Sequence, residues 1–274
     1  MGRASREIPE SLRRWTRTPQ SLEEIRPILT RLCQSGELKP VEQFPSLYFV
    51  TAPYARSQAV DEAEILMELQ PYAALSHASA LAFHQMTEEL PKEIHVSVPS
   101  DGASGLLPVG TKESDWVSSA FVRGHMAEVI ADRPVHWHRL VSKRIFGTAE
   151  YDDRGFPVRV TTPERTLLDG LVHPEWCGGF MNVLKAWIAY RDLANVETIV
   201  QYVDQFGVAV LRQRAGFLLE QLHLSHPALA QWTKLARRGG SSKLNGGAAF
   251  APSYSDRWQL SINAPLDPLL EEQP

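Results

Sequence analysis

The sequence predicts an α+β protein, with an N-terminal winged helix-turn-helix followed by a mixed α/β C-terminal domain whose later half is helical. Three observations lead there. Short helical patterns precede a β-hairpin within residues 1–52, alternating strand patterns fill the middle of the chain, and helical periodicity dominates from residue 163 onward. The expected division is 1–52 for the winged helix and 53–274 for the C-terminal domain, with Thr51-Ala-Pro-Tyr-Ala-Arg-Ser-Gln as the link.

IPESLRRWTRT, from residue 8, reads as a short helix with Leu12 and Trp15 on one face. SLEEIR follows, with Ser21 and Glu24 in capping-box spacing. Pro27 has no N–H to return to Glu23 and disfavours the α region at Arg26, which predicts a boundary or kink there. PILTRLCQSG is then a third helix, ended by Gly36. GELKPVEQFPSLYFV reads as two short strands around a turn, which completes the helix–helix–helix–wing order. In the second domain DEAEILMELQP and LSHASALAFHQM are apolar at helical period, the latter capped by Ser76. KEIHVSVPS alternates Ile94, Val96 and Val98 against Glu93, His95 and Ser97, the pattern of a half-buried strand. SAFVRG, PVHWHRLV and FPVRVTT are further strands. Five helices follow, beginning with PERTLLDGLVHP and ending with ALAQWTKLARR; GGSSKLNGGAAF is a flexible loop and DRWQLSIN a closing strand.

Composition sets bounds on function. The chain has 274 residues, 43% hydrophobic and 22% charged, the balance of a globular protein able to bury a core. It contains no apolar run long enough for a membrane span and no apolar leader segment, so a cytoplasmic location and no membrane partner are expected. Its two cysteines, Cys33 and Cys177, fall in different domains and predict free thiols. The formal net charge is −4, unevenly distributed. Positions 1–44 carry eight basic and six acidic residues, against twenty and twenty-six in the remainder. A mildly basic head on an acidic body is compatible with a small DNA-reading module, because local charge sets phosphate attraction.

VTTPERTLLDGL, residues 160–171, gathers two acids, an arginine and three threonines. Either Thr162 is the N-cap with Pro163 at the first helical position, or Thr161 caps and Glu164 closes a capping box. Asp169 lies five residues past Glu164, about 140° round the helix, so the two carboxylates do not converge as an acid–base pair. Capping and packing therefore explain the segment. His136 and His138 alternate on a strand and share a face, and His77 and His84 lie two helical turns apart. No acid or cysteine completes a ligand set nearby, and partly exposed histidines are expected. No phosphate-loop, dinucleotide, nucleophile-elbow or zinc-protease motif occurs. Lys234, Arg237, Arg238 and Lys243 form a basic run in a Gly/Ser context, either solvated or touching phosphate.

In a winged helix the last helix enters the major groove, while the wing and first helix hold phosphates. The base-reading candidates are Arg26, Thr30, Arg31 and Gln34, away from the Leu/Ile/Cys stripe; the phosphate candidates are Arg13, Arg14, Arg17 and Lys39. A small helical docking module is the alternative. A metal-dependent nuclease using Glu164, Asp169 and the histidines is the enzymatic alternative, and a non-catalytic docking protein a third.

The ordered set GELKPVEQFPSLYFV, YAALSHASALAFHQMTEELPKEIHVSVP, VTTPERTLLDGLVHPEWCGG, RQRAGFLLEQL and RWQLSIN resembles the AbiEi-type antitoxins over residues 27–263. The segment ahead of Pro27 departs from that pattern in its short helices. The resemblance implies a non-enzymatic antitoxin of a type IV toxin–antitoxin or phage-defence system. It implies a winged helix that represses its own operon by binding operator DNA, and a C-terminal domain that counters a nucleotidyltransferase-like toxin. No cofactor and no metal are implied.

Overall fold

The computed structural model describes residues 22–51, 61–100, 105–116 and 124–266, and the chain divides into two compact units, Met1–Val60 and Asp61–Pro274. In the first unit, α1 (Leu22–Gln34) leads into an antiparallel hairpin of β1 (Leu38–Val41) and β2 (Phe44–Val50). Of the boundary or kink expected at Pro27, no boundary occurs: LEEIR and PILTRLCQ form one helix, Leu22–Gln34, with Pro27 inside it. The missing N–H leaves the Glu23 carbonyl without its helical donor, and Glu23 is exposed, so that carbonyl is open to solvent rather than buried unsatisfied. The helix ends as its sequence requires. Gly36 takes φ +74°, its N–H donates to the Cys33 carbonyl (3.1 Å), and the Glu37 N–H donates to the Leu32 carbonyl (2.9 Å). This is the double-bonded left-handed cap for which glycine carries no Cβ penalty. The helix expected over IPESLRRWTRT lies outside the described residues.

The second unit begins with α2 (Glu62–Leu69), whose first turn is closed by Asp61 accepting from the Ala63 N–H at 2.9 Å. Then come β3 (Ala74–Leu75), α3 (His77–Phe83), β4 (Ile94–Pro99), β5 (Val129–Ile130), β6 (Arg133–Leu140), β7 (Thr148–Asp153) and β8 (Phe156–Thr161). They build one six-stranded mixed sheet in the order β5-β6-β4-β3-β8-β7. β4 runs parallel to β6 and β3 parallel to β8; the other neighbours are antiparallel. β7, which the sequence reading passes over, pairs with β8 across an Arg154–Gly155 turn with both residues at positive φ. That turn is why an Asp/Gly cluster interrupts the pattern without ending the sheet. Of the expected strand SAFVRG, residues 119–123 lie outside the described ones, and Gly124 is in no strand.

The rest is helical, as expected: α4 (Pro163–Val172), α5 (Phe180–Ala189), α6 (Val196–Phe206), α7 (Ala209–Gln221) and α8 (Pro227–Leu235), then a short pair, β9 (Tyr254–Ser255) and β10 (Leu260–Ser261). α4 is the hub of this half, packing against α3, α5, α6 and α7. Leu167, Leu168 and Leu171 are fully buried with Trp187, Ile199, Leu211 and Trp258. Each such leucine contributes about 1.5–3 kcal/mol relative to exposure. Gly170 and Gly216 mark the tightest contacts: a Cβ on the first would meet Val183 at 2.9 Å, and on the second the Trp258 ring at 2.2 Å.

Candidate nucleic-acid interface and a histidine cluster

α1 and its hairpin carry the described DNA-reading candidates. Leu29 and Cys33 are half-buried, while Arg26, Thr30, Arg31 and Gln34 are exposed. Arg26, Thr30 and Gln34 recur every fourth residue and line one side of a groove with Leu29 and Cys33, closed by Pro40 of β1 and Tyr48 of β2. Thr30 Oγ1 donates to the Arg26 carbonyl at 2.9 Å, which fixes its hydroxyl and leaves an oxygen lone pair outward. Arg31 is five residues from Arg26, about 140° round the helix, and lies off this groove. Lys39 is exposed on β1, opposite Phe49. The helix therefore presents Arg26, Thr30 and Gln34 as a set, with Arg31 apart. Arg13, Arg14 and Arg17 lie outside the described residues.

In the second unit, VTTPERTLLDGL is a structural junction. Thr162, not Thr161, is the N-cap, accepting from the Arg165 N–H at 3.4 Å, with Pro163 next. Thr161 bonds Thr166 side chain to side chain at 2.7 Å. Glu164 accepts from the Asn195 N–H (3.3 Å), tying α4 to the start of α6. Arg165 is buried: its Nε donates to Asp169 Oδ1 (2.9 Å) and its Nη1 to the carbonyls of Arg144 (3.1 Å) and Phe146 (2.9 Å). The guanidinium also lies 4.3 Å and 4.4 Å from the Phe146 and Phe206 ring centres. Burial pushes the Asp169 carboxyl up, Arg165 opposes it, and Asp169 Oδ2 has no hydrogen-bond partner. The two carboxylates thus serve different partners, as their spacing predicts.

The histidines depart from expectation. β4 and β6 align His95 with His136 and Ser97 with His138. Paired residues on neighbouring strands share a face, so all four project together. Over them come His77 from α3, His173 at the end of α4, and Trp176 from the following turn. His77, His95 and His138 are buried rather than partly exposed. His95 Nδ1 and His138 Nε2 are 3.1 Å apart, with ring centres 5.4 Å apart and planes 12° from parallel. Those values describe two nearly coplanar rings meeting nitrogen to nitrogen, so one ring donates and the other accepts. His77 packs on His138 at 4.1 Å, bonds Ser76 Oγ through Nδ1 (2.9 Å), and is held at φ +50°, a region uncommon without glycine. His136 and His173 form the outer rim, facing Glu93 (3.7 Å) and Glu175 (3.1 Å).

Desolvation, reinforced by the neighbouring imidazoles, holds His77 well below its ordinary value, lowers His95, and takes His138 down to about 2. The interior of the cluster is therefore neutral at physiological pH. Among the described residues no three His, Cys, Asp or Glu side chains are placed to share a metal ion. His136-Trp-His138 was the sequence signal for a shared face; nothing in the sequence places His77, His95 and His173 beside it. His84 stays apart, with Nε2 against the Thr161 carbonyl at 2.7 Å.

No protein-family model matches this chain, and no curated protein matches it in sequence. Among solved structures it is similar to the RV2827C protein from Mycobacterium tuberculosis, with a TM-score of 0.50 and 13% identity over 89% of this chain and 81% of that one. At that identity the likeness concerns the fold alone: a mixed α+β architecture with helices around a mixed sheet. No helix among the described residues is long and apolar enough to cross a membrane.

Proposed function

We propose that the protein is a DNA-binding autorepressor and antitoxin of the AbiEi type, acting on its own operator and countering a nucleotidyltransferase-like toxin. The observation that carries the DNA-binding half is the exposed row of Arg26, Thr30 and Gln34 on a tightly capped helix beside the hairpin. The ordered resemblance of segments from residue 27 to residue 263 supports the antitoxin half.

In this reading α1 lies in the major groove. Arg26 offers a fork of donors to the O6/N7 edge of guanine, and Gln34 offers the donor–acceptor pair that matches adenine. Thr30 accepts or donates through the lone pair its helical bond leaves free. Arg31, on a different face, and Lys39, on the wing, neutralise phosphates and set the register. Arg13, Arg14 and Arg17 add charge ahead of α1.

The test is binding of the full chain to duplex DNA from upstream of its own gene, at several salt concentrations. The expected result is sequence-preferring binding that weakens with salt, with a logarithmic slope of about 0.9 per phosphate contacted. Absence of any preference over random duplex would remove the repressor assignment. Co-expression with the toxin, scored as growth rescue, tests the antitoxin half separately.

A further inference from the structure

From Lys234 to Arg257 the chain carries five basic residues and one acid, although the whole protein is net negative. The sequence reads the middle of this segment as a flexible loop. The structure pins it instead. The buried side chain of Gln213 donates to the carbonyls of Arg237 (3.0 Å), Trp258 (2.8 Å) and Gln259 (3.1 Å). Arg214 Nε donates to the Lys243 carbonyl (2.8 Å), Ser242 Oγ to that of Arg237 (2.9 Å), and Asn263 Nδ2 to those of Asn245 and Ala249 (2.9 Å each). A segment of glycines and serines so thoroughly bonded is a built platform.

Its side chains form aromatic–cation pairs. Lys243 bridges Ser261, and Ser261 pairs with Tyr254. Strand neighbours share a face at about 4.8 Å spacing, so Lys243 and Tyr254 stand about 10 Å apart on one side. The Lys243 ammonium lies 5.5 Å from the Phe250 ring centre and donates to the Ala248 carbonyl (2.7 Å), fixing that ring. The Arg238 guanidinium lies 5.0 Å over Tyr254. Phe250 is 57% exposed, and Lys234, Arg237 and Arg238 are exposed as well. Arg237 Nη1 rests on the carbonyls of Lys234 and Ala236, which leaves the rest of its guanidinium fork outward.

We propose that this surface of the second unit binds single-stranded nucleic acid, with a base stacked on Phe250 and phosphates on Arg237 and Arg238. Exposed aromatic rings beside cations are the combination that single strands use, because an unstacked base offers a π-face and its phosphate a charge. A duplex hides those faces, so the rings would gain nothing from it. The local excess of positive charge attracts a polyanion despite the negative total.

The test is fluorescence anisotropy of the full chain with labelled oligo-dT, oligo-U and a duplex of equal length, across a salt series. Phe250→Ala is expected to weaken single-strand binding about 5- to 150-fold, the equivalent of one lost stacking contact. The double variant Arg237→Gln/Arg238→Gln is expected to lower the salt slope by about 1.4. Lys185→Gln, exposed on α5 and part of neither surface, should leave single-strand binding unchanged, which separates a site-specific loss from a general loss of positive charge. All four side chains replaced in the second unit are exposed, so unfolding curves should superimpose on the parent's. No single-strand binding at low salt would overturn the proposal, as would binding indifferent to Phe250 and the two arginines. An equal loss in Lys185→Gln, or preferential capture of a labelled polyglutamate peptide, would equally overturn it.

Discussion

Acidification is expected to destabilise the second unit through its histidine cluster. His138 is held at about 2 against an ordinary 6.5, and His77 and His95 are lowered in the same direction. In the unfolded chain each would take up a proton as the pH falls below about 6.5, whereas the folded cluster resists protonation. Their contribution is therefore fully present above the ordinary histidine value and is lost as pH falls toward the folded values. An imidazole that stays neutral in the folded state adds a slope approaching about 1.4 kcal/mol per pH unit below the ordinary histidine value; His138 contributes this near pH 5, and His77 and His95 add to it in the same direction. Asp169 acts in the opposite sense: with its carboxyl raised, the folded state takes up its proton before the unfolded state does, which adds stability on acidification. Urea unfolding followed by tryptophan fluorescence, between about pH 8 and pH 5, measures the slope. His138→Phe keeps a ring between His77 and Trp176 and should flatten the slope by about 1.4 kcal/mol per unit. Identical slopes for the parent and His138→Phe would refute the buried neutral imidazole.

Three further outcomes are expected. Arg165→Met leaves the Asp169 carboxylate and the Arg144 and Phe146 carbonyls buried without their donor, and should cost about 3–5 kcal/mol in urea unfolding; adding Asp169→Leu should restore much of the loss. Gly216→Ala drives a methyl into the Trp258 ring and should destabilise by about 1–3 kcal/mol with a red-shifted tryptophan emission; a neutral result would show that α7 and Trp258 do not pack as described. In duplex binding, Arg26→Ala should cost about 1–3 kcal/mol on the operator and less on random DNA, whereas Arg31→Ala should weaken both alike; the reverse pattern would exchange their roles.

Much of the second unit is legible in the sequence because one face of most elements is apolar at a clear period. The five late helices and the strands β4, β6 and β8 follow their patterns. What escapes the sequence is what lies over a polar face. Alternation in KEIHVSVPS predicts a strand correctly, yet all six residues of β4 are buried, because α3 and the turn carrying Trp176 lie over the face assigned to solvent. Periodicity records which face is apolar and is silent on whether a polar face finds polar company. Pro27 misleads for a related reason: the rule counts a lost hydrogen bond but not the exposed carbonyl that water can satisfy. The Gly/Ser segment after α8 looks flexible by composition, and only the partners of Gln213 and Arg214, distant in sequence, reveal that it is held.

The pairing of β3 with β8 has a consequence for how the chain comes to be folded. Leu75 meets Val160 in the middle of the sheet, so a strand made early waits for one made much later. Until then β3 has only β4 beside it, and the polar edge of Ala74–Leu75 stands open to other chains. Emerging from the ribosome, this half cannot close before α4 is within reach, since α4 follows β8 directly and carries the buried leucines. Closure of so distant a contact is slow, so the nascent second unit exposes its apolar strands and helices for longer than a unit built of local contacts would.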